Sequence, residues 1–428
     1  MADYSQPSFN ISIEEEYQFI DPDSRELHGF ATAQGLTLSD TQGRRDSKKQ
    51  SEGNEQFKPR DSGLSETFAS AAGTPVCHDI KQARRELLRV RRSMQELAAS
   101  HGLKLMAAGA HPFSFWESVQ EESPRYRALI EDSQFIARRL LAFGMNVRVG
   151  IDERNLAIDV MNAMRYLLPH ILCLANSSPF WQGLDTGLAS YRSVLLDALP
   201  RTGIPNAFRS HNDYLGYVDT LMRTNSIPDP EAIWWDIRPQ TQQQDPLRTR
   251  LDSGRDVQSD NEAADQRAGP QDNMTQPQAD NEEMNHPALE IRVCDALPDI
   301  DDALAVAALI QATVAWLVDL RHRNMSFRLY DRTLIAENKW RAVRYGLQGN
   351  LLDFGIEQEV PIRNLLHELL ERVEPVLDQL NCRAEIEHIH TIMARGASAD
   401  QQRHVWQQTD EDGKAVVDFL VSQTEQSL

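Results

Sequence analysis

Four short stretches of this chain carry polar pairs at i, i+2 inside runs that otherwise alternate with apolar residues. They are Glu14/Glu16 in the run from Ile11 to Phe19, Asn146/Arg148 in Met145 to Val149, Asp236/Arg238 in Trp234 to Arg238, and Glu290/Arg292 in Leu289 to Val293. In a strand, residues i and i+2 lie on one face. Each stretch therefore predicts a strand with Ile, Val, Leu, Tyr or Phe on one side and polar groups on the other. The pairs hold carboxylates and arginines but no lysine. Carboxylates suit Mg²⁺, and guanidinium groups suit phosphate or carboxylate. On one shared sheet, the four pairs make a candidate site for a phosphate-bearing substrate with Mg²⁺. A salt-bridged solvent face is the alternative that the pattern leaves open.

The elements that must position these pairs come from the rest of the chain. Asp79 caps a predicted helix to about Ser100, with Leu87, Leu88, Val90, Met94 and Leu97 as its apolar stripe. A strand over 103–108 and a helix after Ser123-Pro124 follow. A long helix is expected after Asp152, kinked at Pro169, and then a loop over 176–183. Beyond residue 300 the patterns are mainly helical: 301–322, 331–346, 361–380, 384–395 and 399–423. The apolar run from Ala303 to Val318 reads as a buried helix capped by Asp301 or Asp302. Strands and helices mix without regular alternation, and no GxGxxG or P-loop motif occurs. The fold class expected is α+β with a largely antiparallel sheet, a polar concave face backed by helices, and a helical C-terminal part over 301–428. One domain, 1–428, accommodates it. A polar loop at 38–65 and an insert at 240–287, almost free of apolar residues and expected to be disordered, interrupt it.

Composition excludes several function classes. The 428 residues carry a net charge of −20, which disfavours nucleic acid and anionic membrane as general partners. Hydrophobic residues make up 41% and charged residues 25%, a profile for a globular protein with a large core. Cys77, Cys173, Cys294 and Cys382 are widely spaced, without a zinc pattern, which fits a reducing cytoplasm.

Several further motifs occur in an order that resembles a known family. They are Glu14-Glu-Glu-Tyr17, Thr74-Pro-Val-Cys77, Gly109-Ala-His-Pro-Phe113, Asn176-Ser-Ser-Pro-Phe-Trp-Gln-Gly183 and Asp185-Thr-Gly-Leu-Ala-Ser-Tyr-Arg192. Trp235-Asp-Ile-Arg-Pro239, Leu289-Glu-Ile-Arg-Val-Cys-Asp295 and Glu337-Asn-Lys-Trp-Arg-Ala342 complete the set. Together they resemble the glutamate–cysteine ligase type 2, or carboxylate–amine ligase, family over most of residues 9–410. The resemblance implies a glutamine-synthetase-like fold. It also implies ATP-dependent ligation of an amino-acid carboxylate to an amine, through an acyl phosphate. ATP and Mg²⁺ are the implied cofactors, and small-molecule amino acids and amines the substrates. Homo-oligomerisation is compatible with this reading.

On that basis Arg292, Arg238 and Arg148 are candidate catalytic arginines. Ser190, Arg192, Asp236, Asn338 and Arg341 are candidate substrate or nucleotide contacts, with an ordinary i, i+4 pair to Glu337 as the competing role of Arg341. Glu14, Glu16, Glu290 and Asn146 are candidate metal ligands. His111, Trp181, Trp235 and Trp340 read as packing residues. The family usually has His-Val-His where this chain has Asn146-Val147-Arg148, and a Glu where the Thr74-Pro75 alignment puts Ala71, a place that a shifted Glu66 could take. Arginine cannot ligate a metal. A fixed guanidinium in place of a cation is one reading of that change. A catalytically impaired relative that binds a nucleotide, an amino acid or a protein is the alternative function.

Overall fold

The computed structural model describes residues 7–32, 35–38, 72–115, 131, 134, 136, 139–240 and 287–426. The polar loop at 38–65 beyond Leu38, the insert between Gln240 and Pro287, Glu66, Ala71 and nearly all of the helix expected after Pro124 lie outside the described residues. In chain order the strands are β1 (Ile11–Glu15), β2 (Tyr17–Ile20), β3 (Leu27–Thr32), β4 (Gly35–Leu38), β5 (Lys104–Met106) and β6 (Gly144–Gly150). The short β7 (Phe180–Trp181), β8 (Leu184–Asp185), β9 (Thr202–Gly203) and β10 (Trp234–Trp235) precede β11 (Ile237–Pro239) and β12 (Ala288–Asp295). A hairpin of β13 (Asn350–Asp353) and β14 (Gln358–Pro361) follows.

Among the described residues, two four-stranded antiparallel sheets organise the fold. The main sheet has the order β1-β6-β12-β11 and the second β4-β3-β2-β5. The single strand expected over 11–19 thus serves both sheets. It breaks at Glu16, whose backbone N–H reaches the Gly144 carbonyl at 3.0 Å. The strand expected over 234–238 is likewise divided at Asp236, because β10 pairs with β9 and β11 with β12.

Period-two alternation puts Ile11, Ile13, Met145, Val147, Val149, Ile237, Leu289 and Ile291 into one buried core. Helices α1 (Ile80–Ser100), α2 (Arg154–Met164) and α3 (Leu168–Leu174) contribute to that layer. After α4 (Tyr191–Asp197) and α5 (His211–Arg223) comes α6 (Ile300–His322), which packs against β6, α1, α2 and α3. Its composition and length would also suit a membrane span, but 89% of its most apolar window is buried inside the molecule. Helix α6 is a core helix. Its cap is Asp299, whose side chain accepts from the Asp301 N–H, rather than Asp301 or Asp302.

Other helix ends differ from expectation for local reasons. The helix expected after Asp152 begins at Glu153, its cap, and is two helices; Pro169 sits in the first turn of α3, where its missing N–H costs nothing. After α7 (Arg332–Tyr345), α8 (Ile362–Val373), α9 (Leu377–Leu380) and α10 (Arg383–Arg395), the helix expected over 399–423 is also two. Asp410 and Glu411 adopt positive φ and end α11 (Ser398–Gln408), and Asp412 caps α12 (Gly413–Glu425). Helices α1 and α12 both pack on β5. The architecture is α+β, largely antiparallel and helical towards the C-terminus, as the sequence patterns imply.

Candidate active site

The register of three strands builds a charge ladder. Arg238 on β11 lies opposite Glu290 on β12, and Glu290 lies opposite Arg148 on β6. Directly opposed side chains on one face have Cβ atoms about 5 Å apart, within reach of pairing. Arg238 Nε donates to Glu290 Oε2 at 2.6 Å, and Arg148 Nε to Glu290 Oε1 at 3.1 Å. Arg148 Nη2 lies 2.6 Å from Glu14 Oε2 and 2.9 Å from Glu290 Oε1. Arg292 Nη1 is 3.4 Å from Glu290 Oε2. The Glu290 side chain is 1% exposed, whereas those of Arg148 and Arg292 are 29% and 26% exposed. A ligand approaching this face therefore meets guanidinium groups, with the carboxylate sunk beneath them. Burial by itself raises the Glu290 carboxyl, but Arg238, Arg292 and Arg148 outweigh it and hold it well below the usual carboxylate range.

At the β1–β2 break, Glu16 Oε2 accepts from the Gly144 N–H at 2.6 Å. Burial raises the Glu16 carboxyl, and the Arg192 guanidinium opposes that. Arg192 comes from the first turn of α4 and is 5% exposed. Its Nη1 lies 4.0 Å from Asp295 Oδ1, its Nη2 donates to the Arg292 carbonyl at 3.4 Å, and its buried Nε has no partner among the described residues. A Cβ at Gly144 would lie 2.2 Å from Arg192 Nη2, so a larger residue there would displace that guanidinium.

Asp236 is held by a residue that sequence reasoning passed over. Lys339 Nζ on α7 lies 2.9 Å from Asp236 Oδ2 and 3.0 Å from Asp197 Oδ1. Burial lowers the Lys339 pKa, but the two carboxylates outweigh it and hold it above its ordinary value. Lys339 opens onto a cleft of about 390 Å³, lined also by Asp197, Arg201, Thr202, Arg332 and Trp340. Trp340, expected to pack, is 50% exposed. Lys339 stands inside the Glu337–Ala342 motif, so the signal for it was present one residue from Asn338.

The structure gives three of the expected contact residues partners within the chain. Ser190 caps α4 and donates to Asp295 Oδ1 at 2.8 Å, so its hydroxyl is used in fixing a helix. Asn338 exchanges two hydrogen bonds with the Leu352 backbone, 2.8 and 2.7 Å, and clamps β13 to α7. Arg341 pairs at 3.0 Å with both Glu337 and Glu359, the surface role weighed against ligand contact. His111 is buried as a packing residue. Its Nδ1 accepts from the Phe113 and Ser114 N–H groups and its Nε2 lies 3.0 Å from the Arg25 carbonyl.

The structure brings the four candidate metal ligands to one face but fills the space between two of them. Arg148 occupies the facing oxygens of Glu14 and Glu290. Asn146 Nδ2 points its amide at Glu14 Oε1, 3.5 Å away. As arranged, Glu14, Glu290 and Asn146 do not fit a divalent ion between them. A second cluster of potential ligating side chains, Asp299, Asp302 and His388, lies where α6 meets α10. Arg395 donates to both aspartates, and His388 Nε2 lies 2.8 Å from Asp302 Oδ1, so it is a charge-balanced helix–helix contact.

Residues 61–418 match the sequence model of "Glutamate-cysteine ligase family 2". A Herpetosiphon aurantiacus protein named "Putative glutamate--cysteine ligase 2" is 38% identical over 424 residues, 97% of this chain and 93% of its own. A protein of the same name from Roseiflexus castenholzii is 40% identical over 421 residues, 97% of this chain and 94% of its own. Among solved structures, a bifunctional glutathione synthetase from Pasteurella multocida superimposes with a TM-score of 0.59 at 14% identity. That match covers 98% of this chain but 52%, about half, of the other. A glutamate–cysteine ligase from Francisella tularensis, solved in complex with AMP, gives a TM-score of 0.58 at 13% identity, covering 97% of this chain and 88% of that one. The fold is thus shared with these ligases, and the chain belongs to glutamate–cysteine ligase family 2.

Proposed function

We propose that this chain is an ATP-dependent carboxylate–amine ligase of the glutamate–cysteine type. The observation that carries the reading is the charge arrangement on the main sheet. Arg148 and Arg292 present guanidinium groups over a buried, ionised Glu290 on the polar face of an antiparallel sheet, in a chain of this family. In the reaction, an oxygen of the amino-acid carboxylate attacks the γ-phosphorus of ATP, giving an acyl phosphate and ADP. The amine then attacks the acyl carbon, phosphate leaves with the C–O bond electrons, and the nitrogen gives up a proton as the amide forms. Such chemistry depends mainly on positioning and on cations placed against developing charge.

This chain's residues supply both. Arg292 offers N–H donors in a planar fork that matches phosphate or carboxylate oxygens, and Arg148, whose Nε and Nη2 are held by Glu290 and Glu14, adds fixed positive charge beside it. Arg192 has a buried donor to spare, and Glu16 beside it suits a substrate ammonium group. Lys339 is fixed by Asp236 and Asp197 at the edge of the cleft, where it can meet an anionic group entering from that side. Magnesium belongs to this reading as companion of the nucleotide; the Glu14–Glu290 position is not asked to hold it. The AMP bound by the Francisella ligase supports adenine-nucleotide use. The four cysteines are free and buried, which suits a reducing cytoplasm.

The saturation of Glu14 and Glu290 by Arg148 favours a second reading, a relative that binds nucleotide or amino acid without turnover. ADP release with glutamate and a panel of amines, cysteine first, separates the two. ADP that appears only with both substrates present, together with an amide product by mass spectrometry, supports the ligase. Nucleotide binding without ADP release for any pair supports the second reading.

A further inference from the structure

We infer that Arg148 is the resident cation of the Glu14–Glu290 position: its guanidinium takes the place between two carboxylates that a divalent ion would otherwise occupy, so this chain holds no divalent ion there.

The backbone forces the arrangement. Strand β6 lies between β1 and β12, and its register sets Arg148 opposite both Ser12 and Glu290, with Glu14 one same-face step along β1. A side chain on the central strand of three must pass between those on the outer two. Without a positive charge, two carboxylates so close on a half-buried face repel each other. Two such carboxylates are the kind of hard-oxygen ligands that draw a small divalent ion. Arg148 resolves the repulsion from inside the chain. Its Nη2 contacts Glu14 and Glu290 at once, at 2.6 and 2.9 Å. Arg238 takes the other Glu290 oxygen at 2.6 Å. An incoming dication would have to expel Arg148 and then sit beside it, like charge against like charge. Because Arg148 is tethered, its charge stays when ligands leave and when chelators are added.

The inference concerns resident charge and holds whether or not the chain turns over substrate, so its test omits nucleotide. Mn²⁺ is the probe, followed by electron paramagnetic resonance and by thermal melting. Wild type, Arg148→Ser and Arg148→Gln are compared, each alone and with Glu14→Gln. Wild type is expected to show no Mn²⁺ binding that depends on Glu14, and no Mn²⁺-dependent melting shift. At least one Arg148 variant is expected to gain a Mn²⁺ site and to melt several degrees higher with Mn²⁺. Adding Glu14→Gln should weaken that site about 10-fold or more, the scale on which loss of even a supporting group acts. A variant that folds only when Mn²⁺ is present also supports the inference. A wild-type Mn²⁺ site that is lost on Glu14→Gln overturns it. So do folded Arg148→Ser and Arg148→Gln proteins that gain no site.

Discussion

Glu15 and Arg91 form a two-pronged ion pair with neither side chain accessible to solvent. Arg91 Nε and Nη2 donate to the two Glu15 oxygens at 2.9 and 2.7 Å. Tyr17 Oη donates to Glu15 Oε2 at 2.6 Å, and Arg91 also serves the Leu297 and Pro298 carbonyls at 2.8 and 2.6 Å. Glu15 points to the core side of β1 while Glu14 and Glu16 face the other way. The pair therefore pins α1 to the strand that carries the site, and to the turn before α6. Removing one partner leaves a buried charge without compensation, which costs about 3–5 kcal/mol. Arg91→Met is expected to destabilise by about that much in urea unfolding, a drop that would be absent if the pair were solvated.

Arg292 and Arg238 should respond differently to removal. Arg292 touches Glu290 only at 3.4 Å and is partly exposed. Arg292→Ala is expected to leave the melting temperature nearly unchanged. On the ligase reading it removes a charge-assisted contact of about 1.5–3 kcal/mol, roughly a 10- to 150-fold loss of ATP affinity. Arg238 is more buried and also donates to the Glu231 and Ile233 carbonyls, each at 3.0 Å. Arg238→Ala should therefore lower the melting temperature. Calorimetric binding and melting of both variants check the contrast, and equal effects on stability would contradict it.

The contact of α6 with α10 should carry a pH dependence. The hydrogen bond to Asp302 raises the His388 pKa above its ordinary 6.5, against partial burial and the nearby Arg395, with Asp299 adding to the rise. A raised pKa means that the folded state binds the proton more tightly. The stabilisation is fully present below about pH 6.5 and is lost as pH rises through the folded value. His388→Gln is expected to destabilise more at pH 5.5 than at pH 8.5. Urea unfolding of both proteins at the two pH values measures this, and a difference that grows with pH would refute the assignment.

The insert should be dispensable for folding. Its flanks are already paired: the Gln240 N–H reaches the Ala288 carbonyl at 2.8 Å, and the Pro287 carbonyl accepts from the Ile151 N–H at 3.0 Å. Strands β11 and β12 are antiparallel neighbours, a geometry that a short turn can close. Replacing residues 241–286 by such a turn, with Gln240 and Pro287 kept, is expected to hold the melting temperature within a few degrees or raise it, since shorter loops cost less to close. A large drop would show that the segment contributes to the fold.

Much of this protein was legible in its sequence, because strand and helix periodicity is a property of near neighbours. The i, i+2 parity of Asn146/Arg148 and Glu290/Arg292 marked one face of a strand each, whereas that of Glu14/Glu16 runs into the break between β1 and β2. Asp79 marked a helix start, and the Ala303 to Val318 run marked a buried helix. The partner of each charge was not legible. Arg148 meets Glu14 and Glu290 across 134 and 142 residues of chain, and Arg91 meets Glu15 across 76. Those meetings are set by strand register and helix packing, which no local pattern encodes. The same holds for Ser190 and Asn338, whose polar groups are consumed by a helix cap and a backbone clamp. It holds also for Lys339, which α7 delivers to Asp236. The sequence by itself determined which residues share a face. Only the tertiary structure decided which charges neutralise one another and which are left to meet a ligand, because electrostatic pairing depends on distances of a few ångströms between segments far apart in the chain.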